Sequence, residues 1–259
     1  MLLPMRAVTG AVLSPMGDGV RSAAVLAVVL CGSLGATTRG LAAEPAVTPR
    51  GPSFHPEGPG AGRLRVAVGA SIDILPRRLV ESEQRPFPFA TVHVRYGLPS
   101  GCSVSARAKA IYLSNYLEVG ASFSHRFGPF AVGVQNHGGV WFGALGVDGF
   151  DATGWSIVDE PGILLGLDVG TSRVSLTGEL LLSFGKHTSL GDATRTIGAG
   201  SVFSGVATTL LVESFVGRSS VIHYGVGLLG AAPQYEAWIA FSDARSRIWY
   251  PRILGGYAF

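Results

Sequence analysis

From Arg63 to the last residue, the sequence alternates apolar and polar residues in segments of about 10 to 15 residues, separated by turn residues. A period of two is the pattern of β-strands that have one apolar face. In the first segment, RLRVAVGASIDIL, the apolar face carries Leu64, Val68 and Ile72, whereas Arg65 and Asp73 share the opposite face. The pattern predicts an all-β chain built of antiparallel strands.

The length of these segments separates two ways of using such strands. Strands of soluble sandwiches average five or six residues, whereas a strand that crosses a bilayer needs about 9 to 11. The polar face is rich in Gly, Ser and Thr, and only 14% of the chain is charged, against roughly 25% in soluble domains. We therefore expect the apolar face to meet lipid and the polar face to line a lumen. A soluble secreted β-sandwich is the alternative that alternation alone allows.

The carboxyl terminus points the same way. The chain ends RIWYPRILGGYAF, and Trp249, Ile253, Tyr257 and Phe259 share one face. Here the sequence resembles the bacterial outer-membrane β-barrel proteins as a general class, with no particular subfamily. The resemblance implies a porin-like transmembrane β-barrel in the outer membrane of a Gram-negative envelope. It also implies outer-membrane lipid and the barrel-assembly machinery as partners, with Tyr257 and Phe259 as the assembly signal.

Loop lengths predict the number of strands. Bacterial barrels have an even strand number, short periplasmic turns and longer external loops. Treating 129–147 as one strand gives ten strands. Splitting it and promoting 235–243 gives twelve but places long loops on the wrong side, and eight strands is a further alternative. The ten-stranded prediction has external loops at 77–86, 148–160, 186–200 and 232–246.

The amino-terminal residues predict export. An uncharged apolar stretch at 22–38 follows Arg21 and ends in small residues, so residues 1–43 are predicted to be a signal peptide that starts at Met1 or Met16. Residues 44–62 are dense in Pro and Gly, which predicts a flexible periplasmic segment. The barrel is then expected over 63–259.

Charged residues on the polar face predict an internal network. Cations and anions occur there in equal number, and an unpaired charge in a confined interior is costly, so we expect mutual pairing. A narrow solute path is the alternative, although a strongly selective pore would show one sign in excess. The residues of this predicted network are Arg65, Asp73, Arg95, Arg107, Lys109, Glu118, Arg126, Asp168, Glu179, Glu213, Glu236 and Arg252.

Candidate chemistry is sparse. In HTSLGD, His187, Ser189 and Asp192 could form a nucleophile, base and orienter at the external rim of an outer-membrane lipid or peptide hydrolase. Their spacing matches no catalytic motif, so a non-enzymatic structural, narrow-channel or surface-binding role is the leading hypothesis.

His93 and His223 fall on the lumen face, but no cluster has metal-ligand spacing. We expect no cofactor, no metal and, since the basic residues are scattered, no nucleic acid.

Aromatic residues near the ends of the predicted strands suggest interfacial girdles, because amphipathic rings favour the boundary of the bilayer. The residues of this predicted set are Phe87, Phe89, Tyr112, Phe127, Phe130, Trp141, Trp249, Tyr257 and Phe259.

Overall fold

The computed structural model describes residues 51–74, 86–111, 114–147, 150–190, 193–197, 203–216, 220–231 and 248–259. The predicted signal peptide and residues 44–50 lie outside these ranges. No helix of the described residues is long and apolar enough to cross a membrane. The strands are β1 (Leu64–Ile74), β2 (Pro86–Gly97), β3 (Cys102–Ile111), β4 (Ser114–Phe127), β5 (Phe130–Val147), β6 (Phe150–Val169), β7 (Ser172–Leu190), β8 (Ala193–Ile197), β9 (Phe203–Val216), β10 (Ser220–Ala231) and β11 (Ile248–Ala258).

Ten of these strands form one closed antiparallel barrel. Each pairs with its neighbours along the chain, β7 pairs with both β6 and β9, and β1 pairs with β11 to close the ring. The closing register runs from Ala67 opposite Ala258 to Asp73 opposite Arg252. The short β8 lies outside the ring and pairs with the end of β7. The predicted all-β antiparallel barrel of ten strands is confirmed, with 130–147 as a single strand rather than two.

The two ends of the barrel differ. At the short-turn end lie the start of β1, the end of β11 and the connections at 98–101, 128–129 and 170–171. The opposite end, here called the loop end, holds the end of β1 and the starts of β2 and β11. Residues 75–85 and 232–247, between β1 and β2 and between β10 and β11, lie outside the described ranges.

Two of the predicted external loops are wrong. Residues 148–160 belong mostly to β6, which pairs with β5 up to Phe150 opposite Val147. Residues 186–190 extend β7 and pair with β8, so the predicted loop at 186–200 is largely a hairpin. The asymmetry of loop lengths suggested a loop at 148–160, but Ser156 and Glu160 are buried lumen-facing residues that alternate with the outward-facing Trp155 and Ile157.

The outer face of the barrel is apolar. Residues that alternate with the lumen-facing positions expose large hydrophobic side chains, for example Leu117 and Val119 on β4, the latter 67% exposed. Soluble monomers rarely expose continuous apolar patches of this extent. One polar pair interrupts the face near the middle of β6, where Asp159 accepts a hydrogen bond from the side chain of Asn136. The exposed apolar side chains include Leu64, Val68, Ile72, Val92, Val104, Val134, Ile163, Leu165, Leu210, Ile222, Val226, Leu228 and Ile253.

The predicted aromatic girdle is correct only in part. Phe127, Phe130, Trp249, Tyr257 and Phe259 are exposed on the outside, near strand ends. By contrast, two members of the predicted set are buried inside the barrel, because they stand on the lumen face of their strands: Phe89 and Trp141.

The two inward aromatic residues have polar neighbours that hold them in the lumen. The Trp141 indole donates a hydrogen bond of 2.7 Å to Ser114 Oγ. The Lys109 ammonium lies 4.1 Å from the centre of the Phe89 ring, a favourable cation–π geometry. The side chain of Phe87 and all of Tyr112 lie outside the described residues.

Glycines at the closing seam permit β1 and β11 to approach. Gly69 stands opposite Gly256, and a Cβ added to Gly256 would lie 2.7 Å from the Cα of Gly69. The neighbouring Gly255 has room, because a Cβ there would be 3.6 Å from the carbonyl oxygen of His223. The two adjacent glycines therefore differ in what they tolerate.

We predict that Gly256→Ala destabilises the barrel by about 1–3 kcal/mol, since the added methyl group overpacks the seam. The matched variant Gly255→Ala should be neutral or stabilising by about 0.5–1 kcal/mol, since alanine loses less backbone entropy than glycine. Urea unfolding of both variants in the same detergent checks this. Equal midpoints for the two variants would contradict the seam geometry.

Candidate functional site in the barrel lumen

The middle of the lumen holds a charge cluster centred on Arg107. Its guanidinium donates hydrogen bonds to Glu118 (2.8 Å), Glu160 (2.6 Å) and Glu179 (3.0 Å). The four residues stand on β3, β4, β6 and β7, so the cluster spans a large part of the barrel circumference. Gln135 adds a hydrogen bond of 2.8 Å to Glu179. Removing one partner of such a buried group typically costs about 3–5 kcal/mol.

A second charge cluster lies beside the seam. Asp73 is completely buried and accepts a hydrogen bond of 2.9 Å from Arg252 Nη2 on β11. The Lys109 ammonium lies 3.5 Å from the same carboxylate. This cluster ties β1 and β11 together through side chains as well as through the ladder.

Residues nearer the loop end narrow the lumen with apolar side chains. They form one buried cluster, and Lys186 lies over the Trp141 ring at 5.6 Å. Hydrophobic constrictions of this kind oppose the passage of water and ions. The buried members of this apolar cluster are Tyr116, Trp141, Ala152, Val158, Leu181, Ala207, Leu229, Ala231 and Tyr250.

Residues 51–62 fill the short-turn end of the lumen. The sequence predicted a flexible segment over 44–62, but Pro52, Ser53, His55 and Pro56 are almost completely buried. The segment has few large apolar side chains to bury, which is why its composition suggested flexibility. The polar wall of the lumen holds it instead through its main chain, in the arrangement described next.

Two wall residues bind the main chain of this segment. The Glu213 carboxylate accepts N–H groups from three consecutive residues, Ser53 (2.7 Å), Phe54 (3.2 Å) and His55 (2.8 Å). The Arg95 guanidinium donates to the carbonyl oxygens of Ser53 (3.2 Å), His55 (2.7 Å) and Pro56 (2.9 Å).

Further contacts anchor Arg95 and the start of the segment. The hydroxyl groups of Ser103 and Ser122 accept hydrogen bonds from Arg95, each of 2.8 Å, and so orient its guanidinium. Arg65 Nε donates a hydrogen bond of 2.7 Å to the carbonyl oxygen of Gly51. We call Glu213, Arg95 and Arg65 together the seat.

Side chains of the segment also have fixed places. The Phe54 ring lies between His93 and His223, with ring centroids 4.8 Å away on each side. Glu57 pairs with Arg126 at 2.9 Å and with Arg173 at 3.3 Å. These two arginines also contact Asp168, so the charges of segment and wall form one group.

The predicted lumen residues therefore fall into four sets. Arg107, Glu118 and Glu179 meet in the middle, whereas Asp73, Lys109 and Arg252 meet beside the seam. Arg126 and Asp168 meet near the short-turn end, and the seat contains Arg65, Arg95 and Glu213. Glu236 lies outside the described residues.

Three partners in these clusters are absent from the predicted network. Glu160 lies in a stretch interpreted as a loop, although its position an even number of residues from Asp168 places both on the same face of β6. Arg173 lies at the start of β7, at the same parity as the lumen-facing Glu179. Glu57 belongs to the segment interpreted as flexible. The strand periodicity therefore carries a signal for Glu160 and Arg173, but not for Glu57.

The rim candidates do not assemble a triad among the described residues. His187 stacks on Trp155 with centroids 4.3 Å apart, near the loop end of β7. Ser189 follows two residues later on the same strand, and Asp192 lies outside the described ranges. A different serine–histidine contact occurs in the lumen, where Ser105 Oγ lies 2.8 Å from His137 Nε2.

One group of potential metal ligands occurs at the short-turn end. His55, Glu57 and Asp168 place one ligand atom each within 4.8 Å of one another. Both carboxylates are already paired with Arg126 and Arg173. These guanidinium charges occupy the place of a cation, so the residues present do not fit a metal ion well.

A cavity of about 220 Å³ lies between the segment and the apolar cluster. Its wall includes Phe54 from the segment, His93 and His223 beside it, and the charged Arg107 and Arg252. A water molecule takes up about 30 Å³ of liquid. The space is therefore suited to a few waters or one small polar solute.

His55 is buried at the contact between segment and wall. Burial lowers the pKa of its imidazole from 6.5 to about 4, and the nearby charge of Arg173 lowers this pKa too. Both ring nitrogens lack a hydrogen-bond partner among the described residues, and the side chain packs where Gly166 leaves room. The seated segment thus favours a neutral His55.

We predict that the segment binds its seat more weakly as the pH falls from 6.5 to about 4. In this pH range His55 takes up a proton when the segment is free but not when it is seated. The binding constant of the segment therefore falls by up to about tenfold per pH unit, which is about 3 kcal/mol of binding free energy in all. Above pH 6.5 this contribution is constant. The measurement uses a variant in which Ser53 is replaced by cysteine, and the native cysteines Cys31 and Cys102 by serine. The rate at which a thiol reagent modifies this new cysteine reports how readily the segment leaves its seat.

The control for this measurement is the same chain with His55→Asn. The ratio of the two modification rates at each pH cancels the pH dependence of the reagent. A ratio that does not change between pH 7 and pH 4.5 would show that His55 does not couple protonation to the segment.

Comparisons with known proteins do not assign the chain to a family. No protein-family model and no curated protein sequence matches the chain. Among solved structures, the translocator domain of the autotransporter NalP from Neisseria meningitidis is similar, with 13% identity and a TM-score of 0.35 over 92% of this chain and 97% of that one. Similarity at this level does not identify a shared family.

Proposed function

We propose that this chain is an integral outer-membrane β-barrel without enzymatic activity, whose lumen is closed at rest by its own residues 51–62. When the segment leaves its seat, the lumen becomes a narrow path for small polar solutes. The observation that carries the proposal is the segment itself, since three N–H groups and three carbonyl oxygens bind two buried wall charges.

The outer face supports a membrane location. Exposed Leu, Val, Ile and aromatic side chains surround a barrel whose strands, apart from β8, have 10 to 20 residues, and about 9 to 11 tilted residues cross a bilayer. Tyr257 on the last strand and Phe259 directly after it are exposed, where the barrel-assembly machinery would meet them. Outer-membrane lipid and that machinery are the proposed partners, and residues 1–43 the proposed signal peptide.

The lumen charges support a path of low selectivity rather than an ion filter. Arg107, Lys109 and Arg252 face Asp73, Glu118, Glu160 and Glu179, which is close to a balance of signs. A strongly selective channel would present an excess of one sign. Because the apolar cluster narrows the loop end, we expect small conductance even when the segment is displaced.

We predict that purified protein in planar bilayers is mostly closed, and that Glu213→Ala raises its open probability at least about tenfold. The variant removes the charged acceptor of three N–H groups, each such hydrogen bond being worth about 1.5–3 kcal/mol. The matched control Ile253→Val changes only the outer face and should behave as the unaltered chain. Single-channel recording measures both.

Two results would contradict the proposal. Release of the protein from membranes by carbonate, with the same gel mobility before and after heating, would show that it is not an integral barrel. Equal, persistent conductance of the unaltered chain and Glu213→Ala would show that the segment does not close the lumen.

A further inference from the structure

The seat recognises main-chain atoms, and this property extends beyond the chain's own segment. We propose that the seat is a peptide-binding site for a turn-forming peptide rich in Pro and Gly, with residues 51–60 as its intramolecular occupant. This inference rests on the proposed function and deepens it, because it names the class of ligand that can replace the segment.

The hydrogen-bond pattern suits a peptide of this kind. Glu213 binds the N–H groups of positions 53, 54 and 55, and these positions lie between Pro52 and Pro56, which have no N–H group. Arg95 binds carbonyl oxygens, which every residue provides. Both partners are therefore independent of side-chain identity at most positions.

Side-chain contacts restrict which peptides fit. An aromatic ring fits between His93 and His223, and an acidic residue three positions later meets Arg126 and Arg173. The residue after the acid must be glycine, because Gly58 has a φ of +61° and a Cβ there would lie 2.7 Å from Arg95 Cζ. The expected ligand pattern is aromatic, a neutral side chain that fits against Gly166, Pro, acid, Gly.

An empty seat presents charged groups that a second peptide can bind. With the segment in place, Glu213 is completely buried and Arg95 is 4% exposed. Without the segment, both charges lose most of their protein hydrogen-bond partners and face the water of the lumen. A peptide that offers the same N–H and carbonyl groups restores these partners.

The experiment uses the full chain with its own segment weakened by Phe54→Ala and Glu57→Gln, which leave the wall intact. A fluorescent synthetic peptide, GPSFHPEGPG, copies residues 51–60. Fluorescence anisotropy in detergent should show saturable binding to this variant at least tenfold tighter than to the unaltered chain. A scrambled peptide of the same composition should not bind.

A second peptide tests main-chain recognition. Replacing the amide of His55 in the peptide by an ester removes one N–H donor to Glu213 and should weaken binding at least about tenfold. The matched control places the ester at position 60, outside the three N–H groups that Glu213 binds, and should bind as the parent does.

The outcomes separate the two proposals. Absence of saturable binding to the weakened chain, or equal binding of both ester peptides, overturns the peptide site, whatever the conductance shows. Peptide binding by a barrel that never conducts would overturn the solute path alone. Heat-dependent gel mobility checks that the weakened chain is folded. If it is not folded, the single variant Phe54→Ala is used in its place.

Discussion

The interaction on which this architecture depends is the bond between the buried Glu213 carboxylate and three consecutive N–H groups of residues 53–55. A buried carboxylate is costly unless hydrogen bonds compensate for the lost water. Arg95 completes the arrangement by binding the carbonyl oxygens of the same segment. These two opposite charges thus pair through a peptide backbone that lies between them.

The lumen has three layers, in which different kinds of residue occupy the enclosed space. A ten-stranded ring encloses more space than its inward side chains can fill everywhere. At the loop end, large apolar side chains such as Trp141 and Tyr250 narrow it; in the middle, ion clusters around Arg107 and Asp73 occupy part of it. At the short-turn end, the segment fills it, and a small cavity remains between segment and apolar cluster.

The strand periodicity of the sequence predicted most of the fold, because the odd or even position of a residue in its strand decides which face of the barrel it occupies. Arg65 and Asp73 are buried and Leu64 and Ile72 exposed, as alternation predicts. The same rule would place Glu160 and Trp141 inside, but the asymmetry of loop lengths suggested a loop at 148–160, and strand-end aromatics suggested a girdle. In both cases a general property of membrane barrels took precedence over the local periodicity.

The seat was beyond sequence reasoning for a physical reason. Ser53 and Glu213 are 160 positions apart, and the contact uses main-chain atoms of the segment, which are the same for every residue type. The Pro and Gly content of 44–62 indicates weak local structure, and the described part, residues 51–62, forms turns and bends but no helix or strand. Long-range hydrogen bonds, which leave no pattern in the segment, determine its position.

Amide hydrogen exchange of the full chain in lipid nanodiscs tests the central claim most directly. If Glu213 binds the segment in the lumen, the amides of Ser53, Phe54 and His55 exchange as slowly as amides of the central strands, and Glu213→Ala abolishes this protection while β4 and β5 stay protected. Exchange of these three amides at the rate of an unstructured peptide in the unaltered chain would contradict it.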